Sequence, residues 1–353
     1  MLRISLIGPE GTGKSRLFTL LTGEQPRETM LTESFTPPVA PVELEDARLA
    51  ALAGILKGRK VVPLTVELYD FPGFAGSTPA KLVNRILRDI RQSDLLVVVL
   101  QANADAQQLA ANCRSFRDEL VLLDYANADS AFSNLKAKLR GTRRSSDDPR
   151  YKLLARVVEM LEGGASLHAE LSPEEKSELK DLALLTLKPQ LVVLNLTEEQ
   201  YADSDFSKSA CAQLGDGAGA AHCHALPVTL AAELAELPDG ERAAFRELYG
   251  IEGALVPPLK KALLAAMDRI VFFTFNEKEV RAWSVPDGST AVEAAGAIHT
   301  DLARGFIRAE VIGAEELVAL GSTDAAKSAG KLRTEGKEYP VQDGDVILVR
   351  FNL

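Results

Sequence analysis

The 353-residue sequence has no apolar run approaching the ~20 residues that a bilayer-spanning helix requires, which argues against a membrane class. Its first residues, MLRISLIG, run into a strand-like segment without the basic, apolar and small-residue order of a secretory signal, so the cytoplasm is the expected location. Cysteine is scarce: Cys113, Cys211 and Cys223 are too few and too scattered for a disulfide framework. Histidine is scarce as well. His222-Cys223-His224 offers adjacent ligands that do not readily converge on one tetrahedral ion, and His168 and His299 lack a neighbouring nucleophile or carboxylate, so all read as structural. A basic excess is also missing. The formal net charge of -10 excludes broad electrostatic coating of nucleic acid, so any RNA contact must be local. One stretch, KAKLRGTRRSSDDPRYK, gathers Lys136, Lys138, Arg140, Arg143 and Arg144 around a turn; it suits a solvated helix end as well as an RNA contact.

What is present is the composition of a soluble globular protein, 46% hydrophobic and 25% charged. The length calls for two or three structural units. Four short runs, LRISLI (2–7), LTVELYD (64–70), LLVVVL (95–100) and QLVVLN (190–195), are nearly continuous in Val, Leu and Ile. Such runs suit strands covered on both faces, and helical segments lie between them, so a parallel α/β sheet follows. The first helix is expected from Lys14 or Ser15 to Gly23. Between the third and fourth runs, Phe116, Leu120, Leu123, Ala131, Leu135 and Leu139 mark one helical face, and YKLLARVVEMLEGG repeats the pattern, predicting an antiparallel helical hairpin over 112–170. SPEEKSELKDLALLTLKP opens a further helix with Ser172 as cap, Pro173 in the first turn and Glu175 completing a capping box. From about 270 the texture changes: RIVFFTF, VRAWSVP, RAEVI and GDVILVRF read as strands, with a helix over TAVEAAGAIHTDLARG, the order of a small α+β module. The expected organisation is an NTPase-type domain over 1–111 and 171–268, the hairpin insertion, and a C-terminal domain over 269–353.

The chemistry sits at the ends of those runs. Gly8-x-x-x-x-Gly13-Lys14-Ser15 falls between a strand and a helix and satisfies the phosphate-loop spacing. Backbone N–H groups from Gly8, Gly11, Thr12 and Gly13 through Arg16 can hold phosphate oxygens, Lys14 can neutralise the β and γ phosphates, and Ser15 can ligate Mg²⁺. Glu10 is expected to face solvent, since a carboxylate beside phosphates would repel them. Asp70-Phe71-Pro72-Gly73 follows the second run and matches the Asp-x-x-Gly element that places a carboxylate near Mg²⁺ and senses the γ-phosphate. The next residue, Phe74, stands where a Ras-like enzyme has the Gln that orients water, so hydrolysis is expected to be slow or to use another group. At the end of the fourth run, Asn195-Leu196-Thr197-Glu198 lacks the Lys and Asp of a guanine-reading Asn-Lys-x-Asp, so guanine preference is not expected; adenine recognition and a plain strand-end turn both remain open.

Together with LTLKP (185–189) and the C-terminal stretches KEVRAW, IHTD, GFIRAE and DGDV, these motifs resemble the YchF family of Obg-related P-loop NTPases over essentially the whole chain. The resemblance implies an α/β P-loop domain, a coiled-coil-like helical hairpin and a C-terminal TGS-type, ubiquitin-like β-grasp domain. It also implies a cytoplasmic, Mg²⁺-dependent ATPase of low intrinsic activity, associated with the ribosome or structured RNA through the hairpin tip and the TGS-like domain, and expected here as a monomer. Asn195 and Glu198 match the family's Asn-x-x-Glu, Thr229 and Leu230 fall where the chain passes the base, and Phe74 matches a hydrophobic residue in place of the catalytic Gln. Lys14, Asp70 and Gly73 are the expected catalytic group; Ser15 and Thr36 are the expected metal ligands, with Thr32 or Ser34 as alternatives to Thr36. The phosphate loop departs from the family's Asn-Val-Gly-Lys-Ser-Thr: Gly11 replaces the Asn and Arg16 the Thr. The segment after Gly73 is shorter, and QANADAQQLA holds no counterpart to the family's proposed catalytic His. A GTPase and a nucleotide-binding interaction protein without turnover are the alternatives.

Overall fold

The computed structural model describes residues 1–26, 35–56, 59–73, 80–102, 106–139, 148–217, 222–251 and 253–352. In chain order its elements are β1 (Leu2–Ile7), α1 (Lys14–Thr22), β2 (Val39–Leu44), α2 (Ala47–Ile55), β3 (Lys60–Val62), β4 (Leu64–Asp70), α3 (Ala80–Ile90), β5 (Leu95–Gln101), α4 (Ala106–Leu139), α5 (Pro149–Glu162), α6 (Leu167–Glu170), α7 (Pro173–Glu178), β6 (Gln190–Asn195), α8 (Glu198–Ala202), α9 (Ser204–Gly217), β7 (His222–Leu226), α10 (Val228–Glu236), α11 (Asp239–Leu248), α12 (Val256–Ala265), β8 (Arg269–Phe275), β9 (Glu279–Pro286), α13 (Ala291–Ile298), α14 (Thr300–Arg304), β10 (Phe306–Gly313), α15 (Ala314–Leu320), α16 (Thr323–Ser328), β11 (Arg333–Glu335) and β12 (Asp345–Phe351). They form two compact units: Met1–Val42 with Glu67–Ala266, and Glu43–Val66 with Met267–Leu353.

The first unit is built on a sheet of order β2-β4-β1-β5-β6-β7, in which β1, β5, β6 and β7 pair in parallel. Leu95 to Leu100 are all buried, as a strand covered on both faces demands. Because these strands run the same way, the loops leaving β1, β5, β6 and β7 emerge at one edge, where ligands of open α/β sheets collect. Helix α1 starts and stops on glycines: Gly13 at φ 97° precedes Lys14, and Gly23 at φ 73° ends it with its N–H on the Thr19 carbonyl.

The hairpin of α4 and α5 closes over Val121, Ala128, Leu153, Leu154, Val157 and Leu161 and belongs to the first unit. Its first helix begins at Ala106, six residues before the expected start at 112. Helix α7 has the expected capping box between Ser172 and Glu175, but it ends at Glu178, short of LTLKP. The chain leaves α7 through a tighter turn over Lys180–Leu182 and turns away at Ala183, whose φ of 47° no helix continues; beyond it the Asp124 carboxylate accepts the Leu185 and Thr186 N–H groups at 3.0 and 2.7 Å. The expectation of no disulfide is corrected as well. Cys211 on α9 and Cys223 on β7 are disulfide-bonded with Cα atoms 5.5 Å apart, a pairing that exists only once α9 has folded back on β7. Among the described residues no helix is long and apolar enough to cross a membrane.

The second unit holds a mixed sheet of order β11-β10-β12-β8-β9-β3, with β12 parallel to β8 and antiparallel to β10. Helix α13 lays Ala291, Ala294 and Ala295 against Phe272, Val285, Val311 and Ile347, giving the β-grasp arrangement. The helix expected over TAVEAAGAIHTDLARG breaks at the extended His299, whose ring accepts the Asp301 N–H and so caps α14. Residues 43–66, placed by sequence in the NTPase domain, cluster instead with this unit. Strand β3 pairs in parallel with β9, Arg48 on α2 bridges Asp46 and Asp343, and the Arg59 guanidinium lies 5.0 Å from the Phe275 ring centre. Apart from Asp46, which is local to Arg48, these partners lie hundreds of residues away in sequence, so local sequence does not announce them.

Candidate functional site

The turn after β1 is shaped by its glycines. A Cβ on Gly8, at φ 140°, would strike the Val99 carbonyl of β5, and one on Gly13 would come within 2.5 Å of the Asn195 side-chain nitrogen. Thr12 Oγ1 donates to the Pro9 carbonyl at 3.0 Å and fixes the loop internally. Gly11 lies at its crest with open space beside it, and Glu10 faces solvent as expected.

Lys14 is only 6% exposed, and its Nζ donates to the carbonyls of Gly8 and Pro9 at 3.0 and 2.6 Å. Burial pulls its pKa down, while the charges of Asp70 and Glu10 oppose that change. The Ser15 hydroxyl donates to Asp70 Oδ2 at 2.6 Å. Asp70 is 7% exposed, and its second oxygen, Oδ1, is buried without a hydrogen-bond partner among the described residues. Burial raises the Asp70 pKa against the opposing effects of the Ser15 hydrogen bond and the Lys14 charge. An acceptor oxygen left bare beside a serine hydroxyl and a lysine is the chemistry that a hydrated divalent cation satisfies. Gly73 completes this half: a Cβ there would lie 2.5 Å from the Glu10 nitrogen, so the Asp-x-x-Gly segment rests directly on the phosphate loop.

The second half forms where β6 ends. Asn195 Nδ2 donates to the Thr12 carbonyl at 3.1 Å, and its Oδ1 accepts the Val228 N–H at 3.1 Å. One amide thereby ties the phosphate loop to the turn between β7 and α10. Beside it opens a cleft of about 430 Å³ lined by Asn195, Leu196, Glu198, Thr229 and Leu230, all anticipated from sequence. Glu198 is the first residue of α8, which Thr197 caps through a box with Gln200. Arg16 reaches this cleft from α1, its Nη1 donating to Thr229 Oγ1 at 2.8 Å.

Gln101, Thr197 and Glu199 also line the cleft and were not anticipated. Gln101 had a usable signal: it directly follows LLVVVL at the carboxyl end of β5 and sits in register opposite Asn195. Thr36 is not brought to Ser15. It lines a cleft with Arg3, Ser5, Tyr69, Phe71, Asp89 and Ser93 that includes neither Ser15 nor Asp70. Phe74, Thr32 and Ser34 lie outside the described residues. Of the basic hairpin residues, Lys136 and Lys138 occupy the last turn of α4, while Arg140, Arg143 and Arg144 lie outside the described residues.

A parallel sheet that delivers a phosphate loop and an adjoining cleft to one edge, with an Asp-x-x-Gly turn braced on the loop, defines a P-loop NTPase of the GTPase type. Residues 3–127 match the family model described as "50S ribosome-binding GTPase", and residues 270–352 match that of the YchF GTPase C-terminal region, described as "Protein of unknown function (DUF933)". The chain is 33% identical to the ribosome-binding ATPase YchF of Bacillus subtilis, covering 100% of both chains, and 32% identical to that of Pasteurella multocida, covering 99% of both. The solved YchF GTPase of Schizosaccharomyces pombe shares the fold, with a TM-score of 0.81 over 99% of this chain and 97% of that one at 22% identity. The chain belongs to the YchF family.

Proposed function

We propose that this chain binds ATP in preference to GTP, hydrolyses it slowly to ADP and phosphate with Mg²⁺, and acts in the cytoplasm as a monomeric, ribosome-associated regulator. The observation that carries the nucleotide preference is the base cleft. Asn195 spends its amide on Thr12 and Val228, so it positions the site, and the carboxylates that line the cleft beside it are those of Glu198 and Glu199 at the start of α8, of which Glu198 is the one we assign to the base. Guanine presents two adjacent donors to an aspartate in guanine-reading sites, and no aspartate or lysine occupies the matching positions. Relatives of similar length carry the name ribosome-binding ATPase, which supports the same reading.

Lys14 would release its loop carbonyls to take the β and γ phosphates, and the helix N-terminus would add its N–H groups. Ser15 would hold Mg²⁺ and Asp70 would fix it from behind; the ion supplies charge neutralisation of the polyphosphate when bound. Gly73 would sense the γ-phosphate through its backbone. The chain's own contribution is thus positioning and charge stabilisation. Lys136 and Lys138, with the rest of the basic hairpin end, and the TGS-like C-terminal unit are the surfaces proposed for ribosomal RNA.

Titration calorimetry of the full chain with Mg²⁺-ATP and Mg²⁺-GTP tests the proposal. ATP is expected to bind at least about tenfold more tightly, a difference of about 1.4 kcal/mol; a tenfold preference for GTP would overturn it. Turnover measured with and without ribosomes distinguishes the slow ATPase from an interaction protein that binds without hydrolysis.

A further inference from the structure

We propose that the Arg16 side chain, in addition to the backbone N–H already expected on a phosphate oxygen, holds the α-phosphate and clamps together the phosphate and base halves of the site. This inference rests on the proposed binding of ATP and assigns a role to the position where this chain's loop departs from the family pattern.

Arg16 lies in the first turn of α1, immediately after the lysine and serine of the phosphate loop. Its side chain does not run along its own helix: the guanidinium donates to the Thr229 hydroxyl, 213 residues away in sequence, at 2.8 Å. Thr229 is a wall of the base cleft, with Leu230 and Glu198. The arginine therefore stands between the loop that takes the terminal phosphates and the cleft that takes the base. A nucleotide occupying both must carry its ribose and α-phosphate past this side chain.

The chemistry suits that position. A guanidinium has five N–H donors in a fixed fork, so holding one hydroxyl leaves donors for a phosphate oxygen. The partner here is a neutral hydroxyl, which leaves the positive charge uncompensated by that contact. Glu198 and Glu199 make the cleft acidic, and Lys14 sits deep on the loop carbonyls, so a cation at the junction offsets repulsion that the polyphosphate would otherwise meet.

The test is displacement of a fluorescent ADP analogue from the full chain by ATP, ADP and AMP, for the unsubstituted protein, Arg16→Ala, Arg16→Lys and Thr229→Val. The α-phosphate is common to all three competitors. Arg16→Ala should weaken each by a similar factor, about tenfold. Arg16→Lys should recover part of that loss, and Thr229→Val should lose less than Arg16→Ala and add nothing to it in the double variant. Affinities within twofold of the unsubstituted protein for Arg16→Ala would overturn the clamp, as would a loss confined to ATP, which would move the contact to the γ-phosphate. No binding of ATP by the unsubstituted chain would overturn both this inference and the ATP-binding proposal, whereas normal ATP binding by Arg16→Ala would overturn this inference alone.

Discussion

Two buried aspartates, one in each unit, show how the halves of the molecule differ. Asp345, 4% exposed in the β-grasp unit, accepts the Tyr339 hydroxyl and the Gln342 N–H on one oxygen, both at 2.9 Å, and faces Arg333 at 3.6 Å with the other. Asp70, in the nucleotide-binding unit, has one oxygen on Ser15 and the other bare. The same contrast appears in ionisation. Burial works against Asp343 in the second unit, yet Arg48 and the Val271 N–H hold its pKa below the ordinary 3.8, whereas burial leaves Asp70 above it. A carboxylate that stabilises a fold is saturated by protein donors; one kept for a ligand is left short of them.

The largest test of this contrast concerns binding. Lys14→Ala removes the cation that the loop stores on its own carbonyls, and ATP affinity should fall about 100-fold or more in calorimetry, roughly 2.7 kcal/mol; unchanged affinity would show that the loop is not a phosphate site. Next is the saturated carboxylate. Asp345→Ala strands the Tyr339 hydroxyl and the Gln342 N–H and should destabilise the β-grasp unit by about 2 kcal/mol in denaturant melts. A smaller effect of opposite sign is expected for Asp70→Asn, which should stabilise the nucleotide-free protein by about 1 kcal/mol while weakening Mg²⁺-dependent ATP binding. The pH dependence fixes its sign. Because the folded-state pKa of Asp70 is raised, its favourable contribution is present below pH 3.8 and is lost as pH rises through the folded value. The advantage of Asp70→Asn in thermal melts should therefore vanish in acid and grow towards neutral pH. The smallest expected effect is at Cys113. It is buried in the first unit, with its thiol pushed up to about 11 by desolvation, and the second unit contains no cysteine. Iodoacetamide at pH 8 should leave Cys113 unmodified in the native chain and label it only on unfolding; rapid native labelling would contradict the packing around α4.

Strands β1, β4, β5 and β6 stand where their Val, Leu and Ile runs predicted; β5 and β6 are buried on both faces and so apolar almost throughout, whereas β4 alternates buried with half-buried residues and shows its Val and Leu at every second position. Strand β7 was not foreseen: HCHAL is an edge strand, mostly half-buried, with no continuous apolar run. Helix α13 was expected to continue through His299, since the alanines around it favour helix; the histidine's hydrogen bond to Asp301 instead starts a new one. The phosphate loop was legible because its chemistry is carried by consecutive residues with a fixed spacing. Thr36 was not, because a metal ligand contributed by a loop is defined by where the loop lies, and spacing from Ser15 does not encode that.

The sequence by itself determined the phosphate loop, the Asp-x-x-Gly, the Asn-x-x-Glu and the order of the strands that carry them, since each depends on residue type and local period. Tertiary structure decided that Asn195 ties Thr12 to Val228, that Gly73 rests on Glu10, that Arg16 reaches Thr229, and that residues 43–66 pack with the C-terminal unit. These are contacts between segments tens to hundreds of residues apart, set by parallel strand register and by which buried polar atoms find partners, and neither quantity exists until the chain has folded.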